Sequence, residues 1–153
     1  MKFSREPLPV AALADVPTPV AAYIAATNAF DADALISCFA EGALVNDELR
    51  DYWGLDAIMA WAKREIIGDK VTMVVVEVVQ HFEDTIVTAH VDGDYDKTGL
   101  PGPLALAFHF TVVADKIVRL IILNNRPADS LPEVRSLRAA LAHQRPPDAI
   151  PEE

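Results

Sequence analysis

Apolar and polar positions follow two different periods along this chain, and the change falls near residue 70. In the first half, Val20, Tyr23, Ile24 and Thr27 recur at helical spacing, on one face of a helix opened by Thr18 with Pro19 in its first turn. Tyr23 is therefore expected to point inward. Asp31 is placed to cap a second short helix with Leu35, Ile36 and Phe39 on its buried side and Gly42 as a left-handed terminator. A short apolar strand over 43–47 then ends on a carboxylate, Asp47. Tyr52-Trp53-Gly54 reads as a turn before a third helix, in which Leu55, Ile58, Trp61 and Ala62 form the apolar stripe and Gly68 makes the stop.

Beyond residue 70 the segments 71–82, 85–96, 104–114 and 117–124 are rich in valine, isoleucine, threonine and phenylalanine, so four long strands are predicted. Glu83-Asp84 and Ala114-Asp115 make tight connections. Asp96 to Pro103, with Gly99, Pro101, Gly102 and Pro103, makes a longer hairpin tip. Consecutive short connections imply an antiparallel meander. Ser130-Leu-Pro-Glu133 has the form of a capping box for one more helix, with Val134, Leu137 and Leu141 on one side. The resulting reading is an α+β domain over 18–126, preceded by an extended segment 1–17 and followed by a C-terminal helix and tail over 127–153.

Composition narrows the partners. Hydrophobic residues make up 52% of the 153 and charged residues 24%, which is ample for one core. A net charge of −10 with no basic run repels a phosphate backbone, so nucleic acid is not expected. Cys38 is the only cysteine, so no internal disulfide can form, and its place in a helical apolar pattern suits a buried small hydrophobe. No apolar run approaches the roughly 18 residues of a membrane span. A cytoplasmic protein without membrane contact is the expectation.

Candidate chemistry centres on Asp47. A carboxylate among valine, leucine and aromatic side chains loses hydration, which favours its protonated form and moves a base toward working pH. The alternative is that Asp47 accepts bonds from the 48–53 backbone and ends the strand. Tyr23 is either a donor into the same cavity or a core aromatic. Trp53 and Trp61 are candidate aromatic walls for a flat ligand, although Trp61 on its helical stripe also suits the core. Strand alternation puts His90 and Asp92 on one face and Val91, Gly93 and Tyr95 on the other. A regular hairpin through 96–103 would bring His90 near His109, a combination with metal-ligand chemistry; no metal site is assigned.

The segments Tyr23-Ile-Ala-Ala-Thr-Asn-Ala-Phe-Asp31, Cys38-Phe-Ala-Glu-Gly-Ala-Leu-Val-Asn-Asp47, Tyr52-Trp-Gly-Leu-Asp-Ala-Ile58 and Asp115-Lys-Ile-Val-Arg119, in this order, resemble the nuclear-transport-factor-2-like superfamily. That superfamily includes the SnoaL-like polyketide cyclases and the ketosteroid isomerases. The resemblance implies a cone-shaped, cystatin-like fold in which a curved antiparallel sheet packs against three N-terminal helices. It puts Tyr23 where ketosteroid isomerases carry an oxyanion-donating tyrosine and Asp47 where they carry the proton-shuttling carboxylate; the pairing of an aspartate base with a phenol donor is a known worked example of such chemistry. Their second, protonated acid corresponds here to Phe108, or to Ala107 or His109 if the turn is counted differently. Half of that oxyanion hole is missing, which leaves another proton transfer or a dehydration. The resemblance further implies a pocket for a small apolar molecule lined by Tyr52, Trp53, Trp61, Val91, Tyr95, Phe108 and Asn124. No cofactor is implied. The face with His90, Ile86, Ile121 and Leu123 would point away from that pocket and form a homodimer interface. The functions expected are a cofactor-independent isomerase, cyclase or dehydratase, or a non-catalytic ligand-binding or dimeric interaction domain.

Overall fold

The computed structural model describes residues 16–100 and 102–124. Residues 1–15 of the predicted extended segment, and the whole predicted C-terminal helix and tail over 127–153, lie outside the described residues. Helix α1 spans Thr18–Asn28 and helix α2 Ala32–Ile36; strand β1 spans Phe39–Asp47, β2 Arg50–Trp53, and helix α3 Gly54–Trp61, which continues as a π-helical turn over Ala62–Ile67. Strands β3 (Thr72–His81), β4 (Asp84–Asp92), β5 (Leu104–Val113) and β6 (Lys116–Asn124) complete one sheet in the order β2-β1-β6-β5-β4-β3. No described helix is long and apolar enough to cross a membrane.

The meander β3 to β6 is antiparallel throughout, as the short connections require. Ala114 and Asp115 both take positive φ, 51° and 66°, the backbone of a two-residue hairpin whose twist matches its strands. At the β3–β4 turn the pairing of His81 with Asp84 leaves Phe82 and Glu83 as the loop, one residue earlier than predicted. Strand β1 returns alongside β6 in parallel. That pairing lies between segments some 75 residues apart, a distance over which no local pattern carries information.

Several boundaries differ from the sequence reading, each because a tertiary partner competes with local propensity. Thr18 is the first helical residue and Pro17 the cap, its carbonyl accepting from the Val20 and Ala21 amides. Asp31 caps α2 as predicted, its side chain accepting from the Ala34 amide at 3.0 Å. Gly42 does not terminate that helix. Ser37 is the C-cap, and the chain enters β1 by Phe39 because the Cys38 carbonyl accepts from the Ile117 amide of β6. Gly42 lies within β1, where the pairing to β6 shifts register between Phe39 and Leu44. Tyr52-Trp53 is not a turn but strand, paired with Leu44 and Val45. The turn is Glu48-Leu49, both at positive φ, and nothing in that dipeptide resembles the usual Asn-Gly signal.

The core lies between the concave face of the sheet and the helices. Val45, Val87, Phe110, Ile117 and Leu120 on the strands meet Val20, Tyr23, Leu35, Ile58 and Trp61, all at most 1% exposed. Each such side chain contributes roughly 1.5–3 kcal/mol of burial, so this layer holds the helices over the sheet. Asn28 fixes the far end of α1: its Nδ2 donates to the Met73 carbonyl at 3.1 Å and its Oδ1 accepts from the Met73 amide at 2.7 Å.

Gly68 closes the π-helical turn, its amide donating to the Lys63 carbonyl at 2.9 Å. Its φ of −61° is ordinary, so the left-handed role expected of it belongs instead to Lys70, at φ 52°. Glycine is required by proximity: a Cβ at 68 would lie 2.6 Å from the Arg64 carbonyl oxygen and 2.7 Å from that of Lys63. Backbone cannot swing aside as a side chain can. Gly68→Ala is expected to destabilise the protein by about 1–3 kcal/mol, lowering the thermal midpoint by about 3–10 °C; an unchanged midpoint would show that the turn relaxes freely.

Candidate active site

A cavity of about 370 Å³ opens between α1, the π-helical turn and the concave face of the sheet. Its walls are apolar, built from Ile66, Val71, Met73, Val91, Leu104, Leu106, Phe108 and Ile122. Tyr23, Thr27 and Asp47 also line it, with Glu48, Arg50, Glu65, Asp69, Tyr95, Asp96, Leu100 and Asn124. The helical spacing of Tyr23 and Thr27 puts both hydroxyl side chains on one face of α1, one turn apart.

Tyr23 is fixed by aromatic packing. Its ring meets Phe110 edge-on at 5.2 Å and Phe39 at 6.1 Å, and lies tilted to Phe108 at 6.4 Å. Burial, then the nearby charge of Asp47, pushes the phenol far above its ordinary range. Tyr23 therefore stays protonated, with a hydroxyl proton to offer. Thr27 is close enough to favour the ionised phenol, yet its buried Oγ1 has no partner in hydrogen-bonding geometry among the described residues.

Asp47 ends β1 where the Glu48-Leu49 turn begins, and its side chain is 15% exposed. Two donors converge on one of its oxygens: Trp61 Nε1 donates to Oδ2 at 3.0 Å and Arg50 Nη2 at 3.1 Å. Among the described residues no donor reaches Oδ1. One carboxylate oxygen is thus anchored and the other faces no donor among the described residues. The surroundings are not the purely apolar walls expected from sequence.

Arg50 also forks onto Glu65, Nη2 to Oε1 at 2.7 Å and Nη1 to Oε2 at 3.0 Å, so one guanidinium joins two carboxylates from separate elements. Arg64 donates to Glu65 Oε2 at 3.1 and 3.2 Å. The Tyr52 ring lies under both guanidiniums, 5.9 and 5.8 Å from its centroid, and 6.0 Å from the Trp61 ring. Glu48, beside Asp47, has its carboxyl pushed up by burial and by that neighbouring charge.

Of the residues singled out in the sequence, Tyr23, Asp47, Val91, Tyr95, Phe108 and Asn124 border one cavity. Tyr52, Trp53 and Trp61 do not line it. Trp53 is 66% exposed because β2 is an edge strand and presents it to solvent. Trp61 is fully buried and touches the site through its N–H alone. Phe108 occupies the place beside Tyr23, with Ala107 and His109 on the opposite sheet face. His90 and His109 are not juxtaposed: His90 pairs with Ala105 and His109 with Ile86, four residues along the strand or about 13 Å. The hairpin is irregular because β4 ends at Asp92, which holds Lys97 at 2.7 Å, and Asp94 turns to bond the Asp69 carbonyl. Among the described residues no three histidine, cysteine or acidic side chains gather as a metal site. Arg50, Glu65 and Thr27 were not foreseen, since only the folded turn and the π-helical segment bring the first two together.

An open, strongly curved six-stranded sheet with helices over its concave side and one cavity between them defines a protein of the nuclear-transport-factor-2-like superfamily. The SnoaL-like domain matches residues 20–120, and the chain belongs to that family. Similar solved structures include a candidate polyketide cyclase from Sinorhizobium meliloti, 29% identical, with 71% of this chain and 96% of that one covered at a TM-score of 0.64. A hypothetical protein from Catenulispora acidiphila with a ketosteroid-isomerase-like fold, solved with trimethylamine, is 20% identical over 72% and 87% at 0.60. A candidate polyketide cyclase from Pseudomonas putida is 21% identical over 71% and 90% at 0.54. The last two likenesses establish fold alone. A comparison with curated proteins finds no match.

The Glu65 network carries a pH signature. Burial works against its ionised form, but the hydrogen bonds from Arg50 and Arg64 outweigh it and hold the carboxyl below the usual glutamate range. A depressed folded-state value stabilises the fold above the unfolded value and is lost as pH falls through the folded one. Glu65→Gln is therefore expected to cost about 1 kcal/mol at neutral pH, discounted for the half-exposed Arg50. The gap from wild type closes in denaturation series below about pH 4. A gap constant with pH would assign the loss to packing.

Proposed function

We propose that this SnoaL-like protein is a cofactor-independent enzyme that moves a proton within a small, largely apolar carbonyl compound, as an isomerase, cyclase or dehydratase. The observation that carries it is the pairing, in one cavity, of a buried phenol with a carboxylate whose Oδ2 is anchored and whose Oδ1 meets no donor among the described residues. Asp47 Oδ1 takes a proton from the carbon next to the carbonyl; the C–H electron pair becomes the C=C bond as the carbonyl π pair moves onto oxygen, giving the enolate. Tyr23 donates to that oxygen as its charge develops. Trp61 and Arg50 hold the carboxylate in place, so the base does not rotate out of reach. Phe108 contributes an apolar wall where a second acid would stand, which separates this site from steroid isomerisation.

Hydrogen–deuterium exchange at the α-carbon of a panel of cyclic and aryl ketones, followed by NMR in D2O, tests the reading without knowledge of the natural substrate. Wild-type protein accelerates exchange for at least one member. Asp47→Asn lowers that rate by about 10²–10⁴-fold and Tyr23→Phe by about 10²-fold or more. Exchange at the wild-type rate in Asp47→Asn would leave a non-catalytic binding domain as the better reading.

We also propose that the chain forms a homodimer through the outer sheet face. Val79, Ile86, His109 and Ile121 form one row across β3 to β6, flanked by Val74 and Leu123, which are 43% and 39% exposed. An apolar band of this kind, across the sheet and away from the cavity, suits an isologous contact. Sedimentation at micromolar concentration should give a dimer for wild type and a monomer for Ile121→Lys; a wild-type monomer removes the proposal.

A further inference from the structure

The cavity is apolar within and acidic at its mouth. Five carboxylates border it, Asp47, Glu48, Glu65, Asp69 and Asp96, against a single guanidinium, Arg50. Arg50 is already committed to Asp47 and Glu65. Glu48, Asp69 and Asp96 have no ion pair with a lysine or arginine side chain among the described residues. The nearest ammonium along the same loop, Lys97, is held by Asp92 in the neighbouring pocket.

Two further observations point the same way. Tyr95 borders both cavities, and Lys97 Nζ sits 5.7 Å over its ring, so one side of that ring already attracts a cation while the ring also lines the main cavity. Thr27, 1% exposed and unpartnered at Oγ1, belongs to the lining at the other end of α1's inward face and offers a neutral polar contact there. The lining combines hydroxyls at Tyr23 and Thr27, hydrocarbon walls, and carboxylates in excess of cationic side chains. An anionic ligand would meet that charge first, and the chain as a whole carries −10.

From this we infer that the cavity takes an organic monocation, a protonated amine on an apolar body, with the ammonium at the mouth between Glu48, Asp69 and Asp96 and the apolar part against Val71, Leu106 and Phe108. The inference names the ligand class of the site proposed above and rests on that cavity being the ligand site. Its chemistry is that of charge pairing at a solvent-facing rim plus a cation over an aromatic face. Asp47, the proposed base, belongs to the same lining.

The test uses three probes with one body: 4-phenylbutylamine, 4-phenylbutanol and 4-phenylbutyrate, titrated into the full chain at pH 7 and low salt by calorimetry. The amine is expected to bind at least tenfold more tightly than the alcohol, about 1.4 kcal/mol, and the acid more weakly than either. Raising salt to 0.5 M should narrow the amine's advantage to about threefold, since exposed charge is screened. Glu48→Gln combined with Asp96→Asn should do the same at low salt while the alcohol's affinity changes by less than twofold. The salt series on wild type decides the matter if that double variant fails to fold. Equal affinity for amine and alcohol, or preference for the acid, overturns the charge inference and leaves the ketone-exchange reading standing. No binding by any probe overturns the inference at the level of the cavity, whereas loss of exchange in Asp47→Asn is read independently of all three.

Discussion

The site depends on how Oδ2 of Asp47 is held. A carboxylate at the end of an edge-proximal strand has freedom to rotate into solvent, and a two-residue turn follows it at once. Trp61, buried without remainder in α3, and Arg50, on the far side of that turn, both donate to the same oxygen. Three elements, β1, β2 and α3, thereby fix one acceptor. Arg50 carries the connection on to Glu65 in the π-helical turn, where an extra residue in each hydrogen-bonded loop widens the helix as Gly68 closes it. The mouth of the cavity is therefore braced by charge-assisted bonds, while its interior is shaped by packing alone.

Much of the architecture was legible because the period of the pattern changes once. Helical spacing of Val20, Tyr23, Ile24 and Thr27 reported a face that is indeed buried, and four alternating β-rich runs separated by short breaks left little besides a meander. What the pattern did not contain was the parallel return of β1 beside β6. Phe39 fits the buried side of a short helix as well as it fits a strand, and only the amide of Ile117 decides between them. Gly42 and Gly68 mislead for a related reason: glycine marks either a left-handed cap or a close approach, and here one sits at an irregularity in a strand and the other against two carbonyls.

The cavity lining was legible where alternation settles a face, as at Val91 and Tyr95, and where a helix period does, as at Tyr23. It was not legible where a contact depends on a side chain reaching across elements. Trp61 has the sequence position of a core residue and is one, yet its single polar atom touches Asp47. Arg50 and Glu65, fifteen positions apart, form a bidentate pair that no helical or strand period relates. Trp53 shows the converse. A large aromatic beside a glycine suggested a wall, but the short edge strand β2 turns it outward.

The charge distribution also bears on what chemistry the cavity supports. Negative charge near Tyr23 raises the cost of forming any anion beside it, as the phenol itself registers through Asp47. An enolate generated in the cavity meets the same field, and the one guanidinium present is tied to two carboxylates already. In the proposed reaction, proton transfer from substrate to Asp47 offsets part of this, because the base loses its charge in the step that creates the oxyanion, leaving the net charge of the pair unchanged. The phenol then stabilises a charge that has moved, not one that has been added.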